Sequence, residues 1–216
     1  MPYFIPDEQN SFPSVELADE DGLLAIGGKL TFETLNNAYR KGIFPWYNEG
    51  EPVCWYCPDP RFVLLPANLK VSHSMKSILK NKTFTFSIDK AFTDVIKSCR
   101  LAKRKDDPGT WITDEIEDAY TMLYRKGIAH SAEAWKNDRL VGGLYGVQLG
   151  KIFFGESMFT KESNAGKFAF IQYVTLLEKK GIELIDCQVY TSHLESLGAG
   201  FISRKSFTKL LETLIG

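Results

Sequence analysis

The stretch Ser131-Ala132-Glu133-Ala134-Trp135-Lys136-Asn137-Asp138-Arg139-Leu140-Val141-Gly142-Gly143-Leu144-Tyr145-Gly146-Val147-Gln148-Leu149-Gly150-Lys151-Ile152-Phe153-Phe154 decides the fold class. Its apolar and aromatic runs are cut by two turn signals, Asn137-Asp138 and Leu149-Gly150, so it reads as three antiparallel strands at 131–135, 140–148 and 151–154. Downstream, a helix at 165–180, a buried strand at 184–189 and a final helix near 205–214 are expected. Upstream, Thr113 is placed to cap a helix running to 126, with Gly127 as its stop. Before that come a strand at 62–65, a helix at 72–79, a strand at 84–88, and a helix at 90–99 with Asp89 as cap. The first third is rich in Pro, Gly and aromatics. There Thr31 caps a helix at 32–41 that Gly42 ends, and Ile43-Phe44-Pro45-Trp46-Tyr47 reads as a packed loop because proline interrupts it. This mixed order, with a three-strand meander, predicts an α+β sheet sandwich. The change of texture places a domain boundary at residues 63–64.

A chain of 216 residues, 44% hydrophobic and 25% charged, can bury one good core or two unequal ones. Lys and Arg (26) nearly balance Asp and Glu (27), so any contact with RNA must be local. Residues 1–10 lack a basic region followed by an apolar run, and no apolar stretch approaches the roughly 20 residues that cross a bilayer. A cytosolic protein without a membrane partner is expected. Cys54 and Cys57 have the spacing of a redox dithiol or half a zinc site. Cys99, Cys187 and the three histidines are scattered, and Pro58-Asp59-Pro60 favours a turn where a redox motif would open a helix. Unpaired thiols beside aromatics and no metal are therefore expected.

From 139 to 189 the order is strand, hairpin, strand, loop, long helix, strand. That order resembles the GNAT acyltransferase core, in which a splayed sheet opens a cleft for an acyl donor. GNAT enzymes hold the pyrophosphate of coenzyme A on a glycine-rich loop at a helix N-terminus. The corresponding run here, Thr160-Lys161-Glu162-Ser163-Asn164-Ala165-Gly166-Lys167, has one glycine and includes Glu162, which points to a different donor.

A closer resemblance rests on Gly22-Leu23-Leu24-Ala25-Ile26-Gly27-Gly28, Gly42-Ile43-Phe44-Pro45-Trp46-Tyr47 and Pro58-Asp59-Pro60-Arg61. It continues through Gly109-Thr110-Trp111-Ile112, Ala129-His130-Ser131, Leu140 to Gly146, Gly155-Glu156-Ser157-Met158-Phe159, Leu184-Ile185-Asp186-Cys187-Gln188 and Ser196-Leu197-Gly198-Ala199. In this order and over nearly the whole chain, these runs resemble the leucyl/phenylalanyl-tRNA–protein transferases. The resemblance implies a small N-terminal α/β domain (1–63) followed by a GNAT-like acyltransferase domain (64–216), acting as a bacterial cytosolic monomer. The implied reaction moves Leu or Phe, and less readily Met, from leucyl-tRNA or phenylalanyl-tRNA to proteins beginning with Arg or Lys, marking them for degradation. An aminoacyl ester is already activated and an α-amine has a pKa of about 8, so no metal or cofactor is required.

Asp186 and Gln188 stand two apart on a strand and so project from one face, with Cys187 opposite; the resemblance puts that face in the cleft as catalytic residues. Asp186 would accept the amine proton directly or through Gln188, whereas the bland reading has it satisfy backbone amides. Trp46 and Trp111 are aromatic platforms that, by resemblance, flank the terminal adenosine; core filling is the alternative. Leu144, Phe153, Met158, Tyr173 and Ile185 would form the pocket for the transferred side chain, with Leu144 and Tyr173 standing where the family pattern has Met and Phe. Glu156 would hold an amine of donor or acceptor, or else be an exposed strand-end carboxylate. Lys76, Lys80, Arg100, Lys103, Arg104 and Lys105 could neutralise tRNA phosphates or line a solvated face. Two rival readings are an acetyltransferase using coenzyme A and a non-catalytic tRNA- or peptide-binding module.

Overall fold

The computed structural model describes residues 2–102 and 111–215. The chain begins with β1 (Tyr3–Ile5), β2 (Leu23–Gly27), α1 (Phe32–Arg40), β3 (Phe44–Pro45) and β4 (Cys54–Tyr56). These strands form a four-stranded sheet in the order β1-β2-β4-β3. The Thr31 hydroxyl accepts from the Thr34 amide and so caps α1. Gly42 ends the helix at φ +73°, where an added Cβ would also fall 2.6 Å from the Phe207 ring. The expected loop at 43–47 is in part a strand: Phe44 and Pro45 pair with Tyr56 and Trp55. Proline is tolerated there because β3 is an edge strand.

Next come β5 (Arg61–Leu64), α2 (His73–Lys80), β6 (Thr85–Ile88), α3 (Phe92–Arg100), α4 (Asp114–Arg125), β7 (Ala129–Lys136), β8 (Arg139–Leu149) and β9 (Ile152–Thr160). The chain closes with α5 (Ala165–Lys179), β10 (Leu184–Gln188), α6 (Ser192–Ser196), β11 (Gly200–Ile202) and α7 (Arg204–Ile215). Among the described residues the larger sheet has seven strands in the order β11-β5-β10-β9-β8-β7-β6. Neighbours along it are antiparallel except β9 and β10, the pair bridged by α5. Asn137 and Asp138 turn the first hairpin with φ +50° and +57°, the left-handed pair a two-residue turn requires. Thr113 caps α4 as expected. Asp89 does not cap α3: its carboxylate is taken by the Ser131 amide and His130 Nδ1, each at 2.8 Å.

Alternation along the strands separates two apolar faces. Tyr145, Val147, Phe154 and Leu184 join α1, α3, α4 and α7 and the smaller sheet in one cluster. Leu144, Phe153 and Ile185 join α2 and α5 in the other. The structure is therefore α+β, as the sequence predicts. The first turn of α5 lies hard against β8, since a Cβ at Gly142 would sit 2.5 Å from the Gly166 amide nitrogen.

Candidate active site

The cleft forms where two parallel strands part. β9 and β10 stay in register from Leu184↔Ile152 to Asp186↔Phe154. Beyond that point β9 continues only with β8, while β10 shifts register against β5 between Asp186 and Gln188. The shift puts Gln188 at φ +62°, a left-handed conformation that costs a non-glycine residue about 1–3 kcal/mol and is often found at functional sites. A cleft of about 470 Å³ opens there, walled by Gly155 to Met158 on one strand and, on the other side, by Asp186 to Gln188 of β10 and Val189 just beyond it. Residues 155–160 thus belong to β9, and Glu156 lies within the strand, not at its end.

Asp186 is fully buried and bonded to Arg61, which donates Nε at 2.8 Å and Nη2 at 2.6 Å. The guanidinium is sandwiched by the Phe44 and Phe207 rings at 4.8 and 4.6 Å. Burial alone disfavours the Arg61 charge, but Asp186 more than offsets this, so Arg61 holds its proton more tightly than a free arginine. Asp186 Oδ1 also accepts from the Gln188 amide at 3.0 Å. The anion is thereby committed to fixing Arg61 and the bend at Gln188.

Gln188 and Asp186 both line the cleft, and so does Cys187, which also packs in the second apolar cluster, where burial pushes its thiol up. The Gln188 side chain donates Nε2 to Glu156 Oε1 at 2.9 Å, and Oε1 of the same amide has no donor among the described residues. Glu156 also accepts from Tyr39 (2.7 Å, α1) and Tyr120 (2.8 Å, α4). Burial pushes the Glu156 pKa to about 7 and Asp186 adds to the rise, against the pull of the three donors. Burial, followed by the Glu156 charge, holds both phenols well above the usual tyrosine range.

The structure brings Trp46, Trp111, Leu144, Glu156, Met158, Ile185, Asp186 and Gln188 to the cleft wall. Trp46 is 45% exposed and tilted against Tyr56 at 5.8 Å, whereas Trp111 is 8% exposed. Phe153 and Tyr173 do not reach the wall: they meet edge to face at 5.0 Å within the adjoining apolar cluster. Burial raises the Tyr173 phenol. Phe170 of α5 lines the cleft instead, as does His193 of α6. Burial and nearby Lys167 lower the pKa of His193.

Lys76 and Lys80 are exposed on α2, with no ion-pair partner among the described residues. Arg100 is paired with Asp114 and Glu117, so its charge is largely offset. Lys103, Arg104 and Lys105 lie outside the described residues. Glu162, in the run leading to α5, binds Lys136 at 2.6 Å and Arg139 at 3.4 Å. Cys54 and Cys57 are free thiols, with pKa values raised by burial. No helix among the described residues is long and apolar enough to cross a membrane.

Sequence reasoning assigned no role to Arg61, Tyr39, Tyr120 or Phe170. Arg61 carried a readable signal, a cation opening the apolar run Phe62-Val63-Leu64, because a buried cation demands an anion. The tyrosines carried none.

Comparison with known proteins shows the family. The pattern described as leucyl/phenylalanyl-tRNA protein transferase matches residues 63–212, and that of the corresponding N-terminal domain matches residues 28–59. A leucyl/phenylalanyl-tRNA–protein transferase of Christiangramia forsetii is 54% identical over 211 residues, spanning 97% of this chain and 99% of the relative. One from Syntrophobacter fumaroxidans is 51% identical over 98% of this chain and 90% of its own. Among solved structures, a GCN5-related N-acetyltransferase-like protein of Streptococcus suis covers 76% of this chain and 60% of its own at 10% identity, with a TM-score of 0.39. The chain belongs to the leucyl/phenylalanyl-tRNA–protein transferase family and is an aminoacyltransferase.

Proposed function

We propose that the cleft takes the 3′ end of leucyl-tRNA or phenylalanyl-tRNA, and less readily methionyl-tRNA, and passes the amino acid to cytosolic proteins beginning with Arg or Lys, marking them for degradation. The observation that carries this reading is the placement of an amide acceptor, Gln188 Oε1, with no donor among the described residues, where β9 and β10 part, beside an apolar wall and two tryptophans.

In this reading Trp46 and Trp111 receive the terminal adenosine, and Leu144, Met158, Ile185 and Phe170 receive the leucine or phenylalanine side chain. Phe153 and Tyr173 support that wall from behind. Gln188 Oε1 accepts a hydrogen bond from the incoming α-amine and aims its lone pair at the ester carbonyl. Asp186 acts through Gln188, because Arg61 occupies both its oxygens; its fixed charge favours the ammonium character that develops at the attacking nitrogen. Residues 1–63 supply Tyr39, Trp46 and Arg61 to a site otherwise built by 64–216. A coenzyme A donor is disfavoured by the α5 entrance, where Gly166 is packed on Gly142 and Glu162 is held by two cations.

The test incubates the chain with labelled leucyl-tRNA and a peptide beginning with Arg, alongside acetyl-coenzyme A and a peptide beginning with Ala. Labelled Leu-Arg peptide alone is expected. Acetylated peptide, or retained tRNA without turnover, would overturn the reading.

A further inference from the structure

Three hydrogen-bond distances around Glu156 close a ring. Tyr39 Oη is 2.7 Å from Glu156 Oε1 and 2.5 Å from Tyr120 Oη, which is 2.8 Å from Glu156 Oε2. Each of these distances needs a proton between its oxygens. The two phenols bring two protons for three contacts. If Glu156 is ionised, one contact is bare: either the phenols face each other at 2.5 Å, or a phenol oxygen faces a carboxylate oxygen. A third proton completes the ring. The Tyr120 contact then reverses the direction it has with an ionised Glu156: Glu156 Oε2 donates to Tyr120, Tyr120 to Tyr39, and Tyr39 to Glu156 Oε1, which also accepts from Gln188 Nε2. Every oxygen is then within its ordinary donor and acceptor capacity.

The surroundings agree. Arg61 on β5 gives Nε and Nη2 to Asp186 on β10, keeps Nη1 without a hydrogen-bond partner among the described residues and lies near enough to Glu156 to feel its charge, and Tyr145 on β8 is a further phenol. The helices packed on this face present Val95, Ile96, Phe207 and Leu211. No cation forms a salt bridge with Glu156 among the described residues.

We propose that Tyr39 and Tyr120 hold Glu156 as a neutral acid, and that Glu156 gives the ring's third proton to the ester oxygen leaving the acyl carbon. This rests on reading the cleft as the site of aminoacyl transfer. Once the amine nitrogen has bonded to the acyl carbon, the bond from that carbon to the ribose oxygen breaks. Its electron pair stays on the oxygen, which takes the proton from Glu156. The proton shed by the attacking nitrogen restores Glu156, so the products are an amide and a free ribose hydroxyl, and the enzyme ends as it began. Glu156 is the catalytic acid of this step, and the tyrosines are positioning residues.

Infrared difference spectra of the ligand-free full chain, stepped between about pH 5 and pH 9 around the Glu156 value, test the ring without any reaction. A protonated-carboxyl band that is absent in Glu156→Gln should vanish with a midpoint at about 7. As a donor to an ionised Glu156, Tyr120 would lower the midpoint and its loss would raise it; in the ring Tyr120 accepts from the acid, so Tyr120→Phe should move the midpoint down, and Tyr39→Phe gives the same test should Tyr120→Phe fail to fold. A wild-type midpoint in the ordinary carboxylate range, or an upward shift in both variants, would overturn the ring and show the phenols to be plain donors to an anion. Single-turnover transfer by Glu156→Gln should fall by about 10²–10⁴-fold and lose the decline at high pH that the acid imposes. Wild-type transfer by the folded variant would overturn the proton-donating step while the infrared result stood. Absence of any transfer by the wild type, with the infrared titration intact, would sink the reaction but not the ring.

Discussion

Asp186 and Glu156 stand on neighbouring strands where β9 and β10 part, and the fold treats their charges in opposite ways. Asp186 meets a guanidinium that is itself clamped between two aromatic rings. Glu156 meets two phenols and an amide. A guanidinium cannot give up its proton under ordinary conditions, so it fixes the neighbouring carboxylate as an anion. Phenols can donate or accept, so they leave the carboxyl proton exchangeable. One cleft thereby holds a permanent negative charge and a switchable acid, and such divergence between neighbouring carboxyls separates the roles that charge transfer between nitrogen and oxygen requires.

Breaking the permanent half should have the largest effect. Arg61→Met leaves Asp186 buried without a cation and is expected to destabilise the chain by about 3–5 kcal/mol in urea unfolding. Adding Asp186→Asn should recover part of that loss, since the unpaired charge goes with it. Glu156→Gln, by contrast, removes no ion pair and should leave the urea midpoint near wild type in mildly acidic buffer. A small cost for Arg61→Met would mean that solvent reaches Asp186, and the comparison would fail.

The switchable half should show in the pH dependence of stability. Glu156 has a folded-state pKa of about 7 against 4.5 for the free acid. A carboxyl raised in this way favours folding at low pH. Its contribution is complete below 4.5 and is lost as pH rises from there towards 7, at up to about 1.4 kcal/mol per pH unit. The stability of wild type minus that of Glu156→Gln, measured by urea unfolding below, within and above that window, should therefore fall with pH. A flat difference would show that Glu156 ionises as readily in the fold as outside it.

These two carboxyls also mark how far the sequence could be read. The caps Thr31 and Thr113 were legible because their signals are local, whereas the alternation that pairs Asp186 with Gln188 and turns Cys187 away is broken by the register shift between them, so that all three line the cleft. The partners were not legible: Arg61 lies 125 residues from Asp186, and Tyr39 lies 117 from Glu156. Only the order β5-β10-β9 and the packing of α1 on α4 bring them together. The strand expected at 151–154 runs on, because a bulge opposite Tyr145 and Gly146 carries the pairing with β8 through to Thr160. Asp89 had a capping signal but was claimed by the β7 backbone across the fold. Phe170 and Tyr173 both pack in the apolar cluster, and it is Phe170 that also lines the cleft.

A moderate effect is expected at the cleft mouth. Trp111→Ala should weaken binding of a short aminoacyl-adenosine analogue by about 1–3 kcal/mol, the value of one stacked base. The infrared midpoint of Glu156 should not move, because Trp111 makes no hydrogen bond to the ring of oxygens among the described residues. A shift of that midpoint would show that the ring is sensed from the tryptophan side, and would weaken the contrast between the two carboxyls.

The smallest effect separates buried charge from surface charge. Arg61 and Asp186 are 1% and 0% exposed, so dissolved salt does not reach between them. Lys76 and Lys80 stand in solvent one turn apart on α2, where a phosphate could displace counterions as it docks. Salt should thus weaken binding of whole tRNA, while transfer from the short analogue, which meets only the cleft, should be nearly independent of salt. Changing Lys76 and Lys80 together to Ala should flatten the tRNA salt slope by up to about one for each phosphate that is no longer neutralised, and leave analogue transfer as it was. The slope is read from tRNA affinity between low and physiological salt. An unchanged slope would return both lysines to a solvated helix face. A strong salt dependence of analogue transfer would instead show that the charges in the cleft are less shielded than the Arg61 clamp implies.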